Sequence, residues 1–132
     1  MAANNPYKAY QQNSVTTASP GELTIMLYNG CLKFIGKAKQ AMKAGNIEER
    51  NSNIQRAQDI VREFMVTLDM GYEVSGNMMV LYEYCSSKLT EANIRNDQAA
   101  LEEAEMVITE FRDTWKQVIQ LNRKKQHQGD VV

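Results

Sequence analysis

After Pro20 the chain contains no further proline, so the strongest helix breaker is absent from most of its length. The point of entry into helix is explicit. In Ser19-Pro20-Gly21-Glu22, Ser19 stands at an N-cap and Pro20 at the first helical position, where a missing N–H costs nothing. Glu22 at the third position completes a capping box. A periodic apolar run begins at once, and it repeats until the chain is nearly spent.

Four amphipathic helices follow from that periodicity. The first covers Pro20 to about Lys43, with Leu23, Leu27, Cys31, Phe34, Ala38, Ala41 and Met42 on one face, and stops at Gly45. Asn46 caps the second, whose stripe is Ile54, Ala57, Val61, Phe64, Met65 and Leu68. Gly71 and Gly76 bracket a connection. The third helix covers about Asn77 to Ile94 and buries Met78, Leu81, Tyr82, Cys85, Leu89 and Ala92. Asn96-Asp97 turns the chain into the fourth, Gln98 to about Lys125, with Leu101, Ala104, Val107, Ile108, Phe111, Trp115, Val118 and Ile119 inside. Short connections make neighbours antiparallel, so the expected fold is all-α: an up-down-up-down four-helix bundle over 19–125. Residues 1–18 form an N-terminal arm with a short helical turn, and 126–132 a disordered tail.

The chemistry of most enzymes is missing. The single histidine, His127, falls in the tail, so no two-histidine metal site forms within one chain. There is no Glu-x-x-His pair and no glycine-rich phosphate loop. Cys31 and Cys85 lie within apolar stripes and read as buried thiols of a reducing cytosol. No catalytic residue, metal or cofactor is expected. A net charge of −1 favours neither nucleic acid nor an anionic membrane. No apolar run approaches a bilayer span.

What the sequence holds in excess is apolar surface. Placed at 100° per residue, Ile25 and Leu32 fall outside the first helix's core stripe. So do Ile60, Val66 and Met70 on the second, Met79, Val80 and Tyr84 on the third, and Met106 and Leu121 on the fourth. Outliers on several helices point to a contiguous partner groove. Met26, Met70, Met79 and Met106 supply adaptable thioethers to it. The expected groove is Ile25, Leu32, Val66, Met70, Met79, Val80 and Tyr84, with Tyr28 and Tyr82 as its shared edge. The alternative is a structural or regulatory bundle that homodimerises through these faces. In the arm, Asn5-Pro6 starts one turn carrying Tyr7 and Tyr10 on one side, too short to stand alone. Tyr7, Tyr10 and Val15 then dock as a lid that a partner displaces, or hang free.

The run Asn5-Pro6-Tyr7-Lys8-Ala9-Tyr10-Gln11-Gln12-Asn13, followed by Val15-Thr16-Thr17-Ala18-Ser19-Pro20-Gly21-Glu22-Leu23, resembles the N-terminal signature of the flagellar secretion chaperone family FliS. The likeness continues through Leu27-Tyr28, Leu68-Asp69, Leu81-Tyr82, Leu89, Ala92-Asn93, Phe111 and Trp115. It implies a four-helix bundle that binds the C-terminal segment of flagellin in the cytosol. That segment is disordered before filament assembly and orders on the chaperone in extended and helical pieces. Binding would prevent premature polymerisation and deliver flagellin to the flagellar type III export gate. The resemblance also implies that Tyr7 and Tyr10 anchor the lid.

Overall fold

The computed structural model of the chain describes residues 19–131, with side chains as far as residue 125. The arm, with Tyr7, Tyr10 and Val15, lies outside the described residues. Four helices follow one another: α1 Pro20–Ala44, α2 Ile47–Thr67, α3 Ser75–Arg95 and α4 Gln98–Val131. None is long and apolar enough to cross a membrane.

Local hydrogen bonding sets each boundary. Ser19 is extended and its Oγ accepts the Glu22 N–H at 3.2 Å. The Glu22 carboxylate does not close the box: it turns to the Arg123 guanidinium, tying the start of α1 to α4. At the other end Gly45 adopts φ 69°, a left-handed conformation that costs any residue with a Cβ. The Asn46 N–H then reaches back to the Ala41 carbonyl at 2.9 Å. The same Asn46 accepts the Glu49 N–H at 3.1 Å and so opens α2. Asn96 repeats the left-handed exit from α3, at φ 52°. Asp97 Oδ1 accepts the N–H groups of Ala99 and Ala100 and opens α4.

The α2–α3 connection is longer. The buried Ser75 donates its hydroxyl to the Asp69 carbonyl at 2.6 Å, pinning the two ends of the connection together. This draws Gly76 into the first turn of α3, which therefore begins two residues before the expected Asn77. At the far end α4 runs on to Val131 instead of stopping at Lys125, so residues 126–131 are helical. Gln126, His127 and Gln128 contain nothing that breaks a helix.

Each helix packs on its sequence neighbours, and α4 returns to α1. Contacts pair residues in opposite chain order. Glu22 meets Arg123, Asn29 meets Arg112 and Lys39 meets Glu105 between α1 and α4. Arg50 meets Asn93 and Phe64 meets Tyr82 between α2 and α3. The resulting core joins Ile35, Ile54, Ile60, Leu89, Leu101 and Ile108, all fully buried, with the small Ala38, Ala57, Ala92 and Ala104 between them.

Three core assignments change. Ile60, expected off the stripe, is fully buried, because α2 sits between α1 and α3 and both of its flanks are covered. Ile35, outside the expected stripe, is likewise buried. Leu81, expected inside, is 43% exposed, for a reason given below.

The alanines let neighbouring backbones approach closely enough to receive the thiols. Cys31 Sγ donates to the Ala57 carbonyl and Cys85 Sγ to the Ala104 carbonyl, each at 3.7 Å. Both cysteines are free and buried. Burial pushes both thiols up, Cys85 to about 12. An unfolded thiol ionises near its ordinary 9.0, so between that pH and about 12 the unfolded state alone loses the Cys85 proton. Stability is therefore full below pH 9 and falls as pH rises, by about 1.4 kcal/mol per unit for each such thiol. Urea titrations between pH 7 and 11 will show this decline. A thiol reagent at pH 8 will react with either cysteine only at the rate of unfolding.

Candidate functional site

At one level of the bundle, every helix contributes an aromatic ring. Tyr28 of α1 stacks on Phe64 of α2 with centroids 4.4 Å apart, and Tyr82 of α3 stacks on Phe111 of α4 at 4.5 Å. The remaining two sides of the square, Phe64–Tyr82 and Tyr28–Phe111, close at 5.7 and 6.0 Å. All four rings are near parallel, within 21°. Across the square the Tyr28 and Tyr82 hydroxyls form a buried hydrogen bond of 2.7 Å. Burial raises the pKa of both phenols, so the pair is neutral at physiological pH.

Beyond this layer, toward the start of α1, the helices no longer close on one another. The aromatic layer becomes the floor of an apolar cleft with two arms. One arm, about 440 Å³, lies between α1, α2 and the α2–α3 connection. Leu23, Leu27, Phe64, Leu68 and Tyr72 line it. The other, about 420 Å³, lies between α3 and α4 and is lined by Leu81, Val107, Phe111, Thr114 and Val118. Tyr28, Val74, Met78 and Trp115 line both, so the two arms adjoin one another across these side chains. This explains the exposure of Leu81: it points along the core face of α3 into a part of the core that is open.

Trp115 is held in place by its own polar edge. The indole Nε1 donates to the Gly21 carbonyl at 3.0 Å, across the narrow approach of α1 to α4. A Cβ on Gly21 would stand 3.1 Å from the Ile119 side chain, so a larger residue there requires Ile119 to give by a few tenths of an ångström. Trp115 thus stands as a fixed wall between the two arms.

The residues expected to form the groove are divided by the structure. Tyr28 and Tyr82 are in the cleft, as its buried floor. Ile25, Leu32 and Met79 are half-buried, and Leu32 packs against the core. Val66, Met70, Val80 and Tyr84 are exposed. None of these seven lines either arm. Tyr84 is also engaged: its hydroxyl bonds the Glu103 carboxylate across α3 and α4, and the Lys88 ammonium lies 5.5 Å from its ring centroid. Hydrogen bonding to Tyr84 lowers the Glu103 pKa, and hydrogen bonding to Glu91 raises that of Lys88.

The cleft instead gathers Leu23, Phe64, Leu68, Met78, Leu81, Phe111 and Trp115, which periodicity assigns to an ordinary core. Two signals in the sequence could have found it. One was the apolar pair Tyr72 and Val74 in a connection, where burial has no obvious source. The other was one large aromatic at the same height on each antiparallel helix.

The arrangement has the features of a binding surface. It is concave, apolar and walled by rigid rings, and among the described residues no cluster of histidine, cysteine and carboxylate groups could hold a metal. The family described as Flagellar protein FliS matches residues 3–122. The chain belongs to the FliS family. It is 53% identical over 127 residues to the Flagellar secretion chaperone FliS of Bacillus subtilis, covering 96% of both chains. The proteins of that name from Campylobacter jejuni and Salmonella typhimurium are 34% and 30% identical over 120 and 118 residues. These matches cover 89% and 84% of this chain, and 94% and 87% of the relatives. The chain is accordingly a chaperone of flagellar export and not an enzyme.

The tyrosine pair is testable apart from any partner. Tyr28→Phe removes one hydroxyl and strands the other in the core, at a cost of about 1–3 kcal/mol. The double change Tyr28→Phe with Tyr82→Phe leaves no orphan and will cost less than the two single changes summed. Denaturant melts of the three variants measure this coupling directly.

Proposed function

We propose that the two-armed cleft binds the disordered C-terminal segment of flagellin in the cytosol, keeps it from polymerising, and delivers it to the flagellar type III export gate. The observation that carries this reading is the cleft itself, in a chain whose family is one of flagellar secretion chaperones. A helical piece of the segment lies over Phe111, Trp115 and Val118 between α3 and α4, burying its apolar face as it folds. Extended pieces continue over the outlying exposed residues, Val80 and Tyr84 on one side and Val66 and Met70 on the other. The same extended pieces also cover Ile25, Leu32 and Met79, which are half-buried.

Residues 1–18 serve as a lid in the same reading. They join the described chain at Ser19, beside Leu23 and Thr24 on the wall of the first arm. Tyr7, Tyr10 and Val15 supply apolar side chains to cover it, and a partner must displace them at the cost of their docking free energy.

Titration calorimetry of the chain with the C-terminal segment of its cognate flagellin tests both parts. The expected result is one-to-one binding with a large negative heat-capacity change, because apolar surface is buried as a peptide folds. Deleting residues 1–18 will tighten it. Leu81→Asp, in the cleft, will weaken it by at least about tenfold, the loss of 1.4 kcal/mol expected when a charge meets a buried apolar face. Val80→Asp and Tyr84→Asp will weaken it less. A chain indifferent to the segment, whose oligomers dissociate on Val80→Asp, would instead be a homodimer using these faces.

A further inference from the structure

Resting on the reading of the cleft as the partner site, we propose that a carboxylate rim selects its occupant. The partner is an amphipathic helix of about three turns whose apolar face is bordered by lysine or arginine. The length follows from the α4 wall: Val107 to Val118 spans roughly 17 Å at 1.5 Å per helical residue. The charge follows from the lining. Of all the residues lining the two arms, the charged ones are Glu63, Asp69 and Glu110, and all three are acids. Glu73 lies between the lining residues Tyr72 and Val74.

Among the described residues some acids are held in ion pairs, and others, the three rim acids and also Glu48, Glu49, Glu83, Asp97 and Glu102 outside the cleft, are not. Glu22, Asp59, Glu91, Glu103, Glu105 and Asp113 each pair with a lysine or arginine. Glu63, Asp69 and Glu110 form no ion pair among the described residues. Asp69 accepts the Gly71 N–H at 2.9 Å, which fixes its direction and leaves its charge in place. The whole chain carries a net charge of only −1, so the negative charge at the mouth is a local feature.

Glu110 on the α3–α4 arm and Glu63 and Asp69 on the α1–α2 arm give both arms a negative field. A helix with acidic flanks meets like charge and is rejected; one with basic flanks is drawn in faster and held in register. The chain's own arm has the same sign. Among residues 1–18 the single charged side chain is Lys8, between Tyr7 and Tyr10.

Two synthetic peptides of about eighteen residues, long enough to form helix, decide the question. They share one apolar face and carry either lysine or glutamate at its borders. Against the full chain at low salt, the lysine peptide will bind at least about tenfold tighter, each rim acid contributing about two- to fivefold. The gap will close in roughly 0.5 M salt and in the variant Glu63→Gln/Asp69→Asn/Glu110→Gln. It will persist in Glu48→Gln/Glu102→Gln, which removes charge elsewhere on the bundle. Equal binding of the two peptides, or a gap surviving in the triple variant, overturns the rim. If the triple variant loses helicity, the salt dependence on the unaltered chain decides instead. The flagellin segment, titrated alongside, separates the two readings. A lysine preference without flagellin binding leaves the rim and removes the proposed partner; flagellin binding without a lysine preference does the reverse.

Discussion

The structure depends on the square of four stacked rings, Tyr28, Phe64, Tyr82 and Phe111, closed by one hydroxyl-to-hydroxyl bond. Each ring comes from a different helix, so the square ties all four helices together at one height. Aromatic pairs in this geometry add about 0.5–1.5 kcal/mol each beyond their buried area. Their greater effect is geometric. Rings stacked at 4.4 to 6.0 Å cannot interdigitate as leucines do, and they hold the helices at a fixed spacing. On one side of the square, alanines and isoleucines bring the helices together into a closed core. On the other side there is no comparable filling, and the spacing set by the rings persists as a cleft.

That asymmetry gives a small bundle two ends with different tasks. The closed end carries stability: Cys31, Cys85, Ile54, Leu89 and Leu101 are fully buried there. Short, well-capped turns at Gly45-Asn46 and Asn96-Asp97 hold it together, and a polar contact from Arg50 to Asn93 and Asn96 joins α2 to α3. The open end holds the cleft proposed as the partner site. It sits where the chain enters at Ser19 and where the longest connection crosses between α2 and α3. A surface left open for a partner exposes apolar area to water, and the rest of the core must outweigh that cost. The Trp115–Gly21 hydrogen bond shows how the open end keeps its shape without being filled: a large ring is fixed by its polar edge and leaves its face free.

Much of the fold was legible in the sequence because it is local. Ser19, Asn46 and Asp97 act as caps through hydrogen bonds spanning two or three residues, and Gly45 and Asn96 leave their helices through backbone conformations that those residues tolerate. Such events depend on near neighbours and can be read from them. Periodicity found the core faces for the same reason, and it erred at Ile60 and Leu81, where burial depends on what lies opposite. Ile60 is covered on both flanks of α2, whereas Leu81 faces a gap.

The cleft was legible only in kind. An excess of apolar residues is a property of composition and pattern, and it points to a binding role, in keeping with a family of secretion chaperones. Its location is a property of the assembled molecule. Phe64, Phe111 and Trp115 look like any core residues along their own helices. They become a floor and a wall only because antiparallel packing sets them at the height where the bundle ceases to close. The sequence by itself determined four helices, three of them with side-chain N-caps, and a surplus of apolar side chains, since both arise from neighbours along the chain. Which of those side chains meet water was decided by tertiary structure, since exposure depends on the element across the gap and on how far four rings hold it away.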